Sequence, residues 1–299
     1  MMIEPVSLFL NPTAGRGRAG RRMFKIKELL EEAQIPTSLC VSRAVGDLEE
    51  QVCDQVNSGT RNVLVAGGDG SIHEAVNGIM RASSRAALGI IPSGTGNDFA
   101  KSCSIPLDWQ LATRLLGNRL ATNAAPRQID VGRMNDRYFA NGAGIGFDAK
   151  VTHIARSYRW PIGDFVYLVA IFRCMIDGIA TPELTISSND VTFSGSVTLA
   201  NVSNGPWIGG MFHIAPMADN CDGKLELIIA DPVSRMRILS LLPSLIRGRH
   251  LGEREITHAS IRQLQVEAAE PVPSHLDGEV QTLGTSFDIE VLPAALDLL

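Results

Sequence analysis

Aromatic side chains make up only 5% of the 299 residues, too few to furnish the exposed rings of a platform that stacks single-stranded nucleic acid. A basic excess is missing as well. Twenty-seven lysines and arginines face 32 aspartates and glutamates, a net charge of −5, which argues against wholesale contact with a phosphate backbone. The five cysteines, Cys40, Cys53, Cys103, Cys174 and Cys221, are scattered, odd in number and without a Cys-x-x-Cys pair. They read as reduced thiols of a cytoplasmic protein, not as a disulfide framework or a zinc site. No apolar run is long and uncharged enough for a membrane span. The most apolar stretch, Trp160–Ala180, carries Asp164, Arg173 and Asp177 and reads as a buried or surface-lying helix. Met1–Asn11 lacks a basic segment followed by an apolar run and reads as a first strand. Internal repeats are absent. The 45% hydrophobic content is that of a globular chain able to bury a core.

The first 120 residues alternate short apolar runs with helical spacing. Strands are expected at Val6–Asn11, Thr37–Val41, Val63–Ala66 and Ala87–Ile91. Helices are expected at Ala19–Gln34, Asp47–Asn57, Ile72–Arg81, Asp98–Cys103 and Trp109–Leu116. Such alternation implies a parallel sheet covered by helices, with ligands bound at the carboxyl ends of its strands. Beyond Pro126 the texture changes. Strands are expected at Gln128–Met134, Arg137–Gly142, Glu183–Ser187, Val191–Val202, Lys224–Ala230, Arg254–Thr257 and Ser260–Glu267, with helices at Phe165–Ile176 and Val233–Ile246. Asn135-Asp136 and Ser188-Asn189-Asp190 read as hairpin turns. The expectation is two domains: an α/β domain over 1–125, rejoined by 290–299, and a β-rich domain over 126–289.

Chemistry is concentrated in four glycine-containing segments. Gly67-Gly68-Asp69-Gly70-Ser71 ends a strand and opens a helix. Its glycines let the backbone approach a ligand and converge N–H groups on phosphate oxygens, to which the helix terminus adds its dipole. Asp69 could order Mg²⁺ or water there, or it or Ser71 could simply cap the helix. Pro92-Ser93-Gly94-Thr95-Gly96-Asn97-Asp98 repeats the arrangement, with Thr95 as a hydroxyl donor and Asn97 or Asp98 as alternative caps. Asn11-Pro12-Thr13-Ala14-Gly15-Arg16-Gly17 follows the first strand and lacks the lysine of a P-loop. Arg16 and Arg18 could meet an anion or be solvated surface charge. Far downstream, Asp277-Gly278-Glu279 is a close acidic pair able to hold a general base, or an Asp-Gly turn between strands.

Taken together, NPTAG, GGDGS-x-x-E, PSGTGNDFA and DGE, in this order, resemble the diacylglycerol kinase catalytic-domain family of lipid kinases, over nearly the whole chain. GGDG alone also occurs in phosphofructokinases and NAD kinases. The resemblance implies an α/β nucleotide domain followed by a β-sandwich domain, with the active site in the cleft between them. It implies ATP contacts from Asn11, Pro12, Thr13, Ala14, Gly15, Ser42, Gly67, Gly68, Asp69, Gly70, Ser71, Ile72, His73, Gly94, Thr95 and Asn97. It assigns Asp277 and Glu279 to deprotonation of the lipid hydroxyl and Asp69 to the Mg-ATP network. It further implies a Mg²⁺ site at Asp219, Asp222 and the carbonyl of Lys224, where the alternative is an Asp-Gly turn. Ser71 stands for the more usual Thr and His73 for a frequent Asn. The implied partners are ATP and a lipid such as diacylglycerol, met peripherally at a membrane surface. Nucleic acid is not expected, and a homodimer stays open. The apolar residues Val166, Leu168, Val169, Ile171 and Phe172 are expected to line a greasy acceptor site or to pack a core. A kinase of a soluble acceptor and a non-catalytic binding module are the rival readings.

Overall fold

A computed structural model describes residues 6–158 and 163–299 of the chain. Residues 1–5 of the expected first-strand segment and 159–162, near the head of the apolar stretch, lie outside the described residues. The chain divides into two compact units, one running to Ile129 and taking in Ala294–Leu299, the other Asp130–Pro293.

The first unit alternates strand and helix: β1 (Val6–Leu10), α1 (Ala14–Glu32), β2 (Thr37–Val41), α2 (Asp47–Asn57), β3 (Asn62–Gly67), α3 (Asp69–Arg81), β4 (Ala87–Pro92), α4 (Asp98–Ser102) and α5 (Trp109–Ala121). The strands are parallel in the order β2-β1-β3-β4. Every residue of β1 and β4 is buried, as strands covered on both faces require. After β1 the chain adds β2 on one side and then crosses to β3 on the other. The strand order therefore reverses between β1 and β3, where such sheets bind ligands. Local chemistry sets the helix ends. Asp108 accepts hydrogen bonds from the N–H groups of Gln110 and Leu111 at 2.9 Å each and starts α5. Asp47, Glu49 and Glu50 place negative charge in the first turn of α2.

The second unit is a β-sandwich. It comprises β5 (Arg127–Met134), β6 (Arg137–Phe139), β7 (Gly142–Gly146), α6 (Phe147–Ser157), α7 (Phe165–Asp177), β8 (Glu183–Ser187), β9 (Thr192–Ser196), β10 (Leu199–Ser203), β11 (Leu225–Ala230), α8 (Arg235–Ile246), β12 (Ile256–Ile261), β13 (Gln263–Val272), β14 (Ser274–Leu276), β15 (Glu279–Val280) and β16 (Gly284–Leu298). One sheet has the order β12-β11-β10-β7-β14-β15. The other places β13 between β16 and β8, then β9, with β5 and β6 joined through β16. Phe139, Leu184, Val266 and Phe287 from the second sheet meet Ile145, Val202, Leu227 and Leu276 from the first in one buried core. The end of β16 returns to the first unit, where Asp297 and Leu298 lie parallel beside Ala87 and Leu88 of β4.

Several expected strands change: Arg137–Gly142 is divided between β6 and β7, and Ser260–Glu267 between β12 and β13, each pair split across the two sheets. Val191–Val202, read as one strand, is broken at Val197-Thr198. Thr198 donates its hydroxyl to Asp231 O, and β9 and β10 go to different sheets. The segments of β7, α6 and β14–β16 were not anticipated. The Gly-rich β7 has little strand propensity of its own and is held by neighbours on both sides, β10 and β14.

The β5–β6 hairpin rests on a glycine. Gly132 pairs with Phe139, and a Cβ at 132 would lie 2.6 Å from a ring carbon of Phe139, which is fully buried. Gly132→Ala is expected to lower stability by about 1–3 kcal/mol through overpacking. An unchanged melting temperature would show that the ring can move aside.

Candidate functional site

In the first unit three loops leave the carboxyl ends of β1, β3 and β4 and converge. Ser93 N–H donates to Gly67 O at 2.8 Å, and a Cβ on Gly68 would sit 2.8 Å from the Cα of Gly94. Gly94 faces Gly68 in the same way, so the two backbones touch. Gly68 has an ordinary extended φ of −107°, so close approach, not a left-handed conformation, makes glycine necessary there. Gly15 does have a left-handed φ of 57°, and its Cα faces the carbonyl of Ser93. Arg18 ties the first loop to the third: Nε donates to Gly15 O at 2.9 Å and Nη2 to Gly94 O at 2.7 Å. This settles part of the reading of Arg18, whose guanidinium is a strut between loops. Asn97 Oδ1 accepts from Gly94 N–H at 2.9 Å, and Asp69 Oδ1 accepts from Phe99 N–H at 3.2 Å, binding α4 to α3. Ser93 Oγ is buried with no hydrogen-bond partner among the described residues.

The remaining nucleotide candidates differ in what they offer. Asn11 Oδ1 accepts from Thr13 N–H and Thr13 Oγ1, shaping the first loop around Pro12 and Ala14. Ser42 follows β2, its N–H on Leu10 O, beside that loop. Gly67 packs over the side chain of Ser71, and Gly70 lies at the head of α3. Thr95 is exposed. Ile72 is buried and its N–H donates to Gly68 O. His73 is buried along α3 near the amide of Asn77.

In the second unit Asp277 and Gly278 have φ of 50° and 84° and form the two-residue turn between β14 and β15. The turn reading is thus correct, and the side chain does more. Asp277 Oδ2 accepts from Ala140 N–H at 2.9 Å, and Oδ1 accepts from Asn141 and Gly142 N–H at 2.8 and 3.0 Å. Glu279 is ion-paired with Arg156 of α6 at 2.5 Å, and the same arginine donates to Gly278 O. Asn141, Asn204 and Asp130 were not foreseen as part of this hub. Asn204 donates to Asp130 O and Ala140 O, and Asn141 donates to Trp207 O at 2.5 Å. Only their burial, at 7% exposure or less, marks them as special, and burial is invisible in a single sequence.

The outer face of the six-stranded sheet is divided. One row across the strands is Ser260, Glu226, Ser203 and Gly142; the next is His258, Ile228, Asn201, Gly144 and His275; a third is Ile256, Ala230, Leu199 and Gly146. In the polar rows Glu226 accepts from Ser260 and meets His258, while Ser203 donates to Asn201 and Asn201 to Asp148. His275 Nε2 stands 3.6 Å from Asp148 Oδ2 over Gly144, whose missing side chain leaves the room. The apolar row floors a cavity of about 130 Å³ walled by Val151 of α6, Ile171 of α7 and Leu241 and Leu245 of α8. Ile171 borders this cavity and also belongs to the buried core cluster. Val166 packs in the core beneath, Leu168 and Val169 are half-buried, and Phe172 turns outward, 49% exposed, because it lies on the opposite side of α7 from that core.

The predicted metal ligands Asp219 and Asp222 lie in a turn before β11. Asp219 Oδ1 accepts from Cys221 N–H and Asp222 Oδ1 from Lys224 N–H, at 3.1 and 2.9 Å. Gly223, with φ 71°, donates to Asp130 Oδ2 at 2.7 Å. No group of three or more Asp, Glu, His or Cys side chains suited to a metal occurs among the described residues. The donors that remain are two carboxylates and a carbonyl, an all-oxygen set that fits a largely hydrated Mg²⁺.

Residues 5–134 match the diacylglycerol kinase catalytic domain, and residues 142–299 match the YegS C-terminal NAD kinase beta sandwich-like domain. The chain belongs to the diacylglycerol kinase catalytic-domain family of lipid kinases. It is 28% identical to the diacylglycerol kinase of Bacillus subtilis, over 91% of this chain and 88% of that one. It is 33% identical to a Pectobacterium atrosepticum protein named "Probable lipid kinase YegS-like", over 84% and 82%. A crystal structure of a diacylglycerol kinase from Bacillus anthracis superposes with a TM-score of 0.74 over 100% of this chain and 97% of that one, at 22% identity, and shows the same fold.

One group in the cavity wall makes a pH test. His250 is buried, its Nε2 2.9 Å from Ile214 O and its Nδ1 without a described partner. Burial holds its pKa below the ordinary 6.5. The unfolded chain therefore binds this proton first. Stability present above about pH 6.5 is lost as the pH falls below it. His250→Gln is expected to flatten the fall in melting temperature between pH 7 and 5; an identical fall in both proteins would remove His250 from this role.

Proposed function

We propose that the protein transfers the γ-phosphoryl group of ATP to the hydroxyl of a membrane lipid such as diacylglycerol. The observation that carries the reading is the contact of the Gly68 and Gly94 backbones at the strand ends, with the first loop strutted against them by Arg18. Backbone N–H groups held this closely at the ends of β3 and β4, beside the β1/β3 reversal, suit the oxygens of a triphosphate. The unpartnered Ser93 hydroxyl is a further donor for them. Phosphoryl transfer needs mainly positioning and charge neutralisation. The acceptor hydroxyl gives its proton to Asp277 or Glu279 as its oxygen bonds to the γ-phosphorus; the bond from that phosphorus to the β–γ bridging oxygen breaks, and ADP leaves. The three N–H groups on Asp277 fix the hairpin that carries both carboxylates. The apolar cavity of the second unit supports an acceptor with aliphatic chains over a soluble one. Mg²⁺ would neutralise charge on the nucleotide phosphates in the Asp69 network, and a second Mg²⁺ would sit at Asp219, Asp222 and the Lys224 carbonyl as a brace for the turn.

Labelled ATP offered with diacylglycerol, phosphatidylglycerol, a sphingoid base and NAD tests the reading. Label is expected in a lipid; label in NAD alone, or none at all, overturns it. Gly68→Val should abolish ATP binding, because a branched side chain cannot fit against Gly94. Asp277→Asn should keep ATP binding and lose roughly a hundredfold or more in turnover. It should also melt a few degrees lower, since the amide nitrogen would face a backbone N–H.

The second metal has its own measurement. Mg²⁺ alone is expected to raise the melting temperature of the wild type but not of Asp222→Ala, while ATP affinity stays the same in both. An equal shift in the two proteins would dismiss the site.

A further inference from the structure

Helix α7 is apolar on two sides. Val166, Ala170, Ile171, Cys174 and Met175 are buried. On the other side Phe165, Phe172 and Ile176 are 62%, 49% and 72% exposed. These three stand at i, i+7 and i+11, one stripe on a helix, with Leu168 and Val169 half-buried between them. Single exposed apolar residues need no explanation, but a continuous stripe marks an interaction surface. The charged residues of the helix, Arg173 and Asp177, pair with each other at 3.1 Å.

Helix α8 packs into the same apolar cluster through Ile238, so the outward faces of both helices turn away from the sheet. It also exposes an apolar residue, Met236, at 73%. It carries no acidic residue. Arg237 is neutralised by Glu253 and Glu255, at 2.7 and 2.8 Å. Arg235, Arg247 and Arg249, at the two ends of the helix, are exposed and have no acidic partner among the described residues. A local positive, apolar face on a chain of net charge −5 selects a partner that is both anionic and apolar. A second copy meeting this face about a two-fold axis would bring the same arginines together. An anionic lipid surface neutralises them.

We propose that the outward faces of α7 and α8 are the docking surface for an anionic lipid bilayer, both helices lying in the interface plane. Phe165, Phe172, Ile176 and Met236 enter the headgroup–acyl boundary, and Arg235, Arg247 and Arg249 meet the headgroup phosphates. The inner faces of the same two helices wall the 130 Å³ cavity, so the element that meets the bilayer also borders the apolar space. At 13 residues α7 is too short to span a membrane and long enough to lie on one. The proposal gives the lipid-kinase reading its membrane-facing side and rests on it for its biological purpose, but binding is measured without ATP or acceptor.

The experiment is flotation of the full chain with vesicles of phosphatidylcholine alone or mixed with phosphatidylglycerol. The wild type is expected to prefer the mixed vesicles by roughly a hundredfold at low salt, less as salt is added. Phe165→Gln/Ile176→Gln/Met236→Gln should weaken that binding by about tenfold or more. Arg235→Gln/Arg247→Gln/Arg249→Gln should abolish the preference for anionic vesicles. Both variants should phosphorylate a short-chain, water-soluble diacylglycerol as the wild type does, which also reports that they fold. Equal vesicle binding by wild type and variants, or no vesicle binding by the wild type, overturns the proposal. So does a wild-type dimer that the apolar variant makes monomeric in light scattering, because the face would then be covered by a second copy. Vesicle binding with no phosphorylation of any acceptor leaves the docking surface standing and removes the kinase reading. Phosphorylation of the short-chain acceptor without vesicle binding does the reverse.

Discussion

The first unit of this protein depends on one steric fact: at Gly68 and Gly94 two backbones are in contact with no side chain between them. Everything around them follows from that approach. Ser93 can donate to Gly67, Asn97 can close on Gly94, and Arg18 can reach both Gly15 and Gly94. The hydrogen bonds are individually modest, about 1 kcal/mol each. Their consequence is geometric, since they hold three loops from three strands together.

The second unit solves a different problem. Its six-stranded sheet has one face in the sandwich core and another that must serve both polar and apolar partners. Register does the sorting. Glu226, Ser203, Asn201 and His275 fall in adjacent rows near the acidic turn, whereas Ile256, Ala230 and Leu199 fall together under the helices. Gly144 is the hinge of that division, because its bare Cα leaves the space in which His275 approaches Asp148. A buried polar row is stable only when its members satisfy one another, and here Ser203, Asn201 and Asp148 form a chain of hydrogen bonds.

The acidic turn shows how one residue can satisfy two readings. A turn of two left-handed residues between strands is what Asp-Gly favours, and Asp277-Gly278 adopts it. The same geometry aims the Asp277 carboxylate at three consecutive N–H groups of the Ala140–Gly142 segment. A carboxylate so engaged first organises the chain around it. Glu279, on the next residue but one, is held by a partly exposed arginine instead.

By itself the sequence determined the alternating first unit, because its signals are local: buried apolar runs for β1, β3 and β4, helical spacing between them, and glycines after each of those three strands. Strands β2 and β8 and helix α2 were legible to the residue. The family resemblance, too, lay in short contiguous motifs. What only the tertiary structure decided was long-range. The glycine strand β7 owes its place to β10 and β14, and Val197-Thr198 sends one apolar run into two sheets. Phe172 and Ile171 are adjacent in sequence, yet one faces outward and the other walls the cavity. The hub of Asp130, Asn141, Asn204 and Asp277 joins residues as many as 147 positions apart in the chain. Local propensity carries no information about such pairings, because their free energy comes from burying and pairing polar groups that meet only once the sheets have formed.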